Sequence, residues 1–491
     1  MRTIALLLAL TVTASAAPKP NVVVILADDI GYGDFSCYGA PKIHTPNIDK
    51  LAAAGTKFLD AHSPAAVCTP TRYSLLTGQY SFRHKPGASI LSGLAPLSIP
   101  LDRPTLPKMM KQAGYATGIV GKWHLGLGEQ EPDYNAEVKP GPREVGFDSS
   151  FIIPATGDRT PCVYLENGRV VGLDPDDPIH VSYKNKVGTE PTGKENPDQL
   201  FNQKPSHGHD MTIVNGISRI GWMTGGKAAR WKDEDIADTI TAKAVKFLDD
   251  HKAEPFFLYF ATHDAHVPRM PHPRFRGKSQ HGLRGDAIEE FDWCVGEVMK
   301  KLDDLKLTDN TLVIVTSDNG GVMDDGYVDG TGNDPSGHKC NGKLRGVKGA
   351  NYEGGHRVPF VARYPGVVPA GQESNALVCH VDLFATCAAM VGAKLDGDAA
   401  PDSFNQWPTL QGKNPTGRDQ LLTQAGNFNA HALRQGPWKL IVPAMAKFSP
   451  ELYNLADDLA ETKNLAEANT AKVKEMMEAL QKVRTATKTR E

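Results

Sequence analysis

A chain of 491 residues, 40% hydrophobic and 23% charged, is long enough to bury a large core and a smaller second domain. Its 54 Lys and Arg against 57 Asp and Glu leave a formal net charge of -3, without a basic stretch. That excludes a nucleic-acid footprint and a polybasic membrane patch, so an anionic ligand must be held by local charges.

The chain opens on MRTIALLLALTVTASAA, in which one Arg precedes an apolar run that ends in Ala14-Ser15-Ala16. This pattern predicts a signal peptide over residues 1–16 and an exported, periplasmic or extracellular protein. The run is shorter than the ~20 residues that span a bilayer, and none that follows is long enough, so no membrane span is expected. Seven cysteines (Cys37, Cys68, Cys162, Cys294, Cys340, Cys379 and Cys387) are an odd number, so at least one stays outside an intramolecular disulfide. Pairing of the others is left open.

Residues 21–27, NVVVILA, read as a buried strand that ends abruptly in Asp28-Asp29. Similar runs follow at 115–121, 255–261 and 311–317, separated by helical patterns such as ADTITAKAVKFLDDH and AIEEFDWCVGEVMKKLDDL. This alternation predicts an α/β domain over residues 17–400, with a large, mostly parallel sheet flanked by helices. Each strand runs directly into polar residues: Asp28-Asp29, Lys122-Trp123-His124, His263-Asp264-Ala265-His266 and Asp318-Asn319. Ligands of open α/β sheets gather beyond the carboxyl ends of the strands, so one shared site is expected there. Residues 128–235, rich in Pro, Gly, Asp and Asn, read as long loops over the sheet edge. From 401 to 491 the pattern changes to a strand at ALRQGPWKLIV, a turn-rich ELYNLADDLAETKNLAE and a helix to about 484, a small α+β domain.

Cys68-Thr69-Pro70-Thr71-Arg72, followed by Ser74-Leu75-Leu76-Thr77-Gly78, resembles the signature of the type I sulfatases of the alkaline phosphatase superfamily. The resemblance runs from Asn21 to about Leu465. It takes in Gly121-Lys122-Trp123-His124-Leu125-Gly126, His266-Val267-Pro268, Ser317-Asp318-Asn319-Gly320-Gly321 and the segment from Lys348 to Gly355. It implies an alkaline-phosphatase-like fold and conversion of Cys68 to formylglycine by a separate maturation enzyme. Hydrated formylglycine carries two hydroxyls on one carbon, so one can attack sulfur while the other later expels sulfate.

Asp28, Asp29, Asp318 and Asn319 offer only hard oxygen donors, which suits Ca²⁺ or Mg²⁺. The resemblance implies one Ca²⁺, with the formylglycine of Cys68 completing the set. It also assigns Lys122 and Lys348 to the sulfate oxygens, Arg72 to the formylglycine hydrate, His124 to the base and His266 to the acid, with His263 a nearby rival for the last role. Histidine suits both proton transfers because its ordinary pKa lies near neutrality. The substrate implied is a sulfated carbohydrate or small sulfate ester. Asp158, Arg159 and His209, from the long loops, are candidates to contact it, as are Trp222 and Arg230-Trp231. Two other readings stay open: a phosphatase or phosphodiesterase of the same superfamily, and a catalytically silent carbohydrate-binding relative.

Overall fold

The computed structural model describes residues 19–331 and 337–490, so the expected signal peptide lies outside the described residues. At its centre is a ten-stranded sheet. In chain order its strands are β1 (Asn21–Ala27), β2 (Thr56–Phe58), β3 (Ala116–Lys122), β4 (Ser149–Ile153), β5 (Leu165–Glu166), β6 (Arg169–Val170), β7 (Phe256–Ala261), β8 (Thr311–Ser317), β9 (Phe360–Arg363) and β10 (Gln372–Ser374). Across the sheet they run β10-β2-β9-β8-β1-β7-β3-β4-β5-β6.

The parallel heart is β8-β1-β7-β3-β4, and every residue of β1, β7 and β8 is buried. Strands covered on both faces need continuous apolar runs, which is why NVVVILA, FFLYFA and TLVIVTS do not alternate. The sheet is mixed at its margins: β9 is antiparallel to both β8 and β2, and β5 and β6 add antiparallel hairpin strands. Two of the covering helices, here α2 (Ile236–Asp250) and α3 (Gly282–Asp304), pack together, with Phe247 of α2 against Phe256. Gly118 lies on β3 beneath the same ring, where a Cβ would stand 2.4 Å from a Phe247 carbon.

Helix α1 (Cys68–Thr77) precedes both and is buried at all ten positions, although CTPTRYSLLT is barely apolar. Burial of such a segment requires its polar groups to be paired. Thr69 donates to the His124 carbonyl at 3.0 Å, Thr71 to the Ala65 carbonyl at 2.9 Å and Ser74 to the Pro70 carbonyl at 2.8 Å.

A four-stranded antiparallel sheet, β11 (Gln420–Gln424), β12 (His431–Gln435), β13 (Trp438–Val442) and β14 (Glu451–Asn454), forms the second unit, with α4 (Thr470–Thr485) against it. The segment read as turn-rich begins with β14, whose Leu452 and Tyr453 are buried by pairing with β13. Among the described residues no helix is long and apolar enough to cross a membrane. All seven cysteines are free.

Candidate active site

The four strand ends converge. Because β1 lies between β7 and β8, with β3 beyond β7, the residues that follow all four emerge on one edge of the sheet. Gly121 lets β3 turn there: its φ is +101°, and a Cβ would meet the Ala261 carbonyl oxygen at 1.9 Å. Asp29 (φ 58°) and His124 (φ 53°) also adopt the left-handed region, which costs a non-glycine residue energy and is characteristic of functional sites.

Asp28, Asp29, Asp318 and Asn319 are fully buried side by side. Asn319 Nδ2 donates to Asp29 Oδ1 at 2.7 Å, and the Asp29 amide donates to Asp318 Oδ1 at 3.3 Å. Arg72, reaching across from α1, donates to Asp318 Oδ2 through Nε at 3.0 Å and Nη2 at 2.8 Å, and through Nη1 to the Lys122 carbonyl. Lys122 pairs with Asp28 Oδ2 at 2.5 Å and Lys348 with Asp29 Oδ2 at 2.8 Å. Asp28 Oδ1 and Asn319 Oδ1 are buried acceptors without a hydrogen-bond partner. Unspent hard-oxygen lone pairs among three carboxylates are what a cation such as Ca²⁺ requires, so the residues present fit that ion. His266 closes a triangle with Asp28 and Asp29, its Nε2 lying 3.7 Å from Asp29 Oδ2.

Cys68 is the first residue of α1 and is buried. Burial pushes its thiol pKa up, opposed by Lys122 and Lys348, while Asp318 and Asp28 add to the rise. Those four residues are among the ones expected for the cradle and the metal, and all four act electrostatically on this sulfur. Burial also drives the Asp28 pKa well above the ordinary value despite Lys122. At Asp29 burial is overcome by Lys348 and His266, which hold the carboxyl well below that value.

The two histidines are held as distinct tautomers. His124 Nε2 lies 2.9 Å from the Leu91 carbonyl, which can only accept, so Nε2 carries the hydrogen. Its Nδ1 is buried without a partner and keeps a free lone pair. Burial, then Lys122 and Arg159, hold the ring well below its ordinary pKa, so it is neutral. His266 Nδ1 bonds the Val267 carbonyl at 2.8 Å, leaving Nε2 as acceptor 3.3 Å from Lys348 Nζ. Burial and Lys348 lower its pKa to about 3. His263 is buried too, its Nε2 lying 3.6 Å from Asp264 Oδ1, and burial, with Lys122 adding to it against Asp233, lowers its pKa to about 4.

Asp158, Arg159 and His209 form one cluster, with His209 Nε2 3.0 Å from Asp158 Oδ2 and Arg159 Nη1 3.1 Å from Asp158 Oδ1. The cluster adjoins the site, since Arg159 acts electrostatically on His124 and Cys68 while Asp158 acts on His266. Arg230 instead pairs with Glu190, and Trp231 is buried against Tyr164. Sequence reasoning missed the Leu91 carbonyl, a backbone group invisible to residue type. It also missed Arg284, which bonds the Asp29 carbonyl at 3.1 Å and Asp34 at 2.6 Å and so fixes the loop after β1.

Residues 20–393 match the Sulfatase family model. The chain is 50% identical over 481 residues to the N-acetylgalactosamine-6-O-sulfatase of Bacteroides thetaiotaomicron, covering 95% of this chain and 93% of that protein. It is 31% identical to human arylsulfatase A, covering 97% and 89%. A solved structure described under metabolism of multiple glycosaminoglycans by Bacteroides thetaiotaomicron superposes with a TM-score of 0.93 at 50% identity, covering 96% of this chain and 100% of that one. The Ps i-CgsB complex with k-i-k-neocarrahexaose gives 0.70 at 26% identity, covering 94% and 92%.

Proposed function

The chain belongs to the sulfatase family, and from that premise we propose that it removes a sulfate ester from a carbohydrate, with 6-sulfated N-acetylgalactosamine as substrate. The carrying observation is the orphaned oxygen pair, Asp28 Oδ1 and Asn319 Oδ1, set among the charges that surround Cys68. The sugar is inferred from the 50% identical relative, whose similarity extends over nearly the full length of both chains.

In this reading Asp28, Asp29, Asp318, Asn319 and the oxidised side chain of Cys68 hold one Ca²⁺. When bound, the ion supplies charge stabilisation at the sulfate, and formylglycine, hydrated, supplies the nucleophilic hydroxyl. Arg72, locked between Asp318 and the Lys122 carbonyl, orients the side chain at position 68. Lys122 and Lys348 present ammonium groups to the sulfate oxygens from opposite carboxylate anchors, in a dry setting where a fixed charge acts strongly.

His124 accepts a proton at Nδ1, the atom its tautomer leaves free. His266 first takes up a proton from solvent at Nε2 as the sulfate ester binds, and delivers it from there to the leaving oxygen. Lys348 helps keep that ring neutral, and the negative charge of a sulfate on Lys348 offsets the ammonium and restores proton affinity at Nε2. Asp158, Arg159 and His209 contact the sugar.

The test is production with a formylglycine-generating enzyme, confirmation of the aldehyde by peptide mass, and assay on 6- and 4-sulfated N-acetylgalactosamine and 4-nitrophenyl sulfate. Preference for the 6-sulfate and loss of turnover in Cys68→Ala are expected. Full activity in Cys68→Ala sinks the mechanism, and preference for the 4-sulfate sinks the substrate.

A further inference from the structure

Lys348 lies outside any helix or strand, yet its backbone is pinned at two places. Its amide donates to the Gly321 carbonyl at 3.2 Å, and the Gly349 amide donates to the Ala66 carbonyl at 2.7 Å. Beyond the backbone, the ammonium has three donors to place. One meets Asp29 Oδ2 at 2.8 Å and another Asp325 Oδ2 at 2.8 Å, while His266 Nε2 lies at 3.3 Å. The two carboxylates differ in kind. Asp29 is fully buried and belongs to the metal set, so any cation there draws on the same oxygens. Asp325 is about a third exposed, at 32%, and lies outside that set.

The loop bearing Asp325 is itself held on several sides. Arg269 donates to the Val322 and Met323 carbonyls, and Asp324 accepts from Ser206 Oγ at 3.0 Å. The short strand Tyr327–Val328 pairs with Lys204–Pro205. Asp325 also acts electrostatically on Arg159, so its charge is felt both by the lysine and by the Asp158–Arg159–His209 cluster. Positioning residues on a braced segment hold a neighbour more closely than residues on a free loop.

We propose that Asp325 is a positioning residue for the reaction: it anchors the Lys348 ammonium against the sulfate through a carboxylate that is not part of the metal set. This rests on the sulfatase reading above. It predicts an effect on turnover with every sulfate ester, whatever the leaving alcohol, because the contact is to the lysine and not to the sugar.

The experiment compares Asp325→Asn, Asp325→Ala and Asp325→Glu with the calcium-loaded, aldehyde-verified enzyme on 4-nitrophenyl sulfate and 6-sulfated N-acetylgalactosamine. Inhibition by inorganic sulfate and thermal melting are measured alongside. The Asn and Ala variants are expected to lose about 10- to 100-fold in kcat on both esters with smaller changes in KM, the scale of one misplaced stabilising charge. Sulfate inhibition should weaken severalfold, and Glu should recover most of the kcat. Asn and Ala variants within twofold of the parent in kcat and in sulfate inhibition overturn the proposal. So does a loss that Glu does not rescue and that falls in step with melting temperature. A parent enzyme inactive on both esters instead rejects the functional reading, and the role of Asp325 falls with it.

Discussion

Asp28, Asp29 and His266 at the strand ends, and His62, Glu353 and His356 at the junction with the C-terminal sheet, each bring three ligand-type atoms within 4.8 Å of one another. At the junction the centre is taken by a side chain. Lys439 Nζ lies 2.8 Å from Glu353 Oε1, 2.8 Å from Glu461 Oε1 and 3.1 Å from His356 Nε2. Arg357 reaches Glu353 at 2.9 Å, and Arg434 and His62 reach Asp60 at 3.1 and 2.8 Å. Asp60, Glu353 and Glu461 thus face Lys439, Arg357 and Arg434, and the network joins β13 of the small sheet to the large domain. At the strand ends three carboxylates also face three cations, yet Asp28 Oδ1 and Asn319 Oδ1 remain unspent. Glu461 Oε1 at the junction also lacks a hydrogen bond, but Lys439 Nζ stands 2.8 Å from it; Asp28 Oδ1, likewise unbonded, has the Arg72 guanidinium only at 4.0 Å, and that difference, more than proximity of donors, sets the strand ends apart.

That contrast can be broken at either end. The largest effect is expected from Asp318→Ala, which removes a proposed metal ligand and the partner of Arg72 together: kcat/KM should fall at least about a thousandfold. Retained activity would mean the strand ends are no more functional than the junction. Lys439→Met should do the reverse. Leaving Glu353 and Glu461 buried without their cation costs about 3–5 kcal/mol of stability in denaturant melts, while kcat of the folded enzyme stays within about twofold.

Calcium sharpens the comparison further. A ligand at ~100 times its Kd stabilises the folded state by ~2.7 kcal/mol, so adding Ca²⁺ to chelated protein should raise its melting temperature. Asn319→Ala should blunt that response and Lys439→Met should keep it. A melting temperature and activity indifferent to chelation would dissolve the distinction. The smallest effect concerns pH. In its proposed role His124 works unprotonated, and its folded pKa is depressed, by burial first and then by Lys122 and Arg159, so activity should be lost only as pH falls beneath the ordinary histidine value. Arg159→Met should move that acid limb of kcat/KM upward, and an unmoved limb would detach Arg159 from the site.

The strand ends were legible because parallel strands buried on both faces must be apolar and must stop abruptly where they meet a polar site. NVVVILA-Asp28 and TLVIVTS-Asp318 state both conditions in the sequence itself. Edge strands carry no such imprint. Thr56–Phe58 is three residues long and exists through its pairing with Phe360–Ala362, and Glu451–Asn454 hid in a segment full of turn formers. Among site residues, Cys68, Lys122 and His124 came with their motifs. Asp325 stands in Asp324-Asp325-Gly326, where an acidic residue beside glycine reads as a turn, and its partner Lys348 is 23 positions away. The ionic role of Lys439 is not legible in its strand pattern, because the carboxylates that bury it come from other parts of the chain.

A helix enclosed on every side also sets a clock. Cys68 retains 1% of its exposure, and the nine residues that follow it in α1 are buried as well. No second protein can grip that segment once the fold has closed around it. The oxidation proposed for Cys68 therefore belongs to the interval between emergence of residues 68–77 as an extended chain and arrival of Asp318, some 250 residues later, to lock Arg72 in place. The length of the intervening chain gives the modifying enzyme its time.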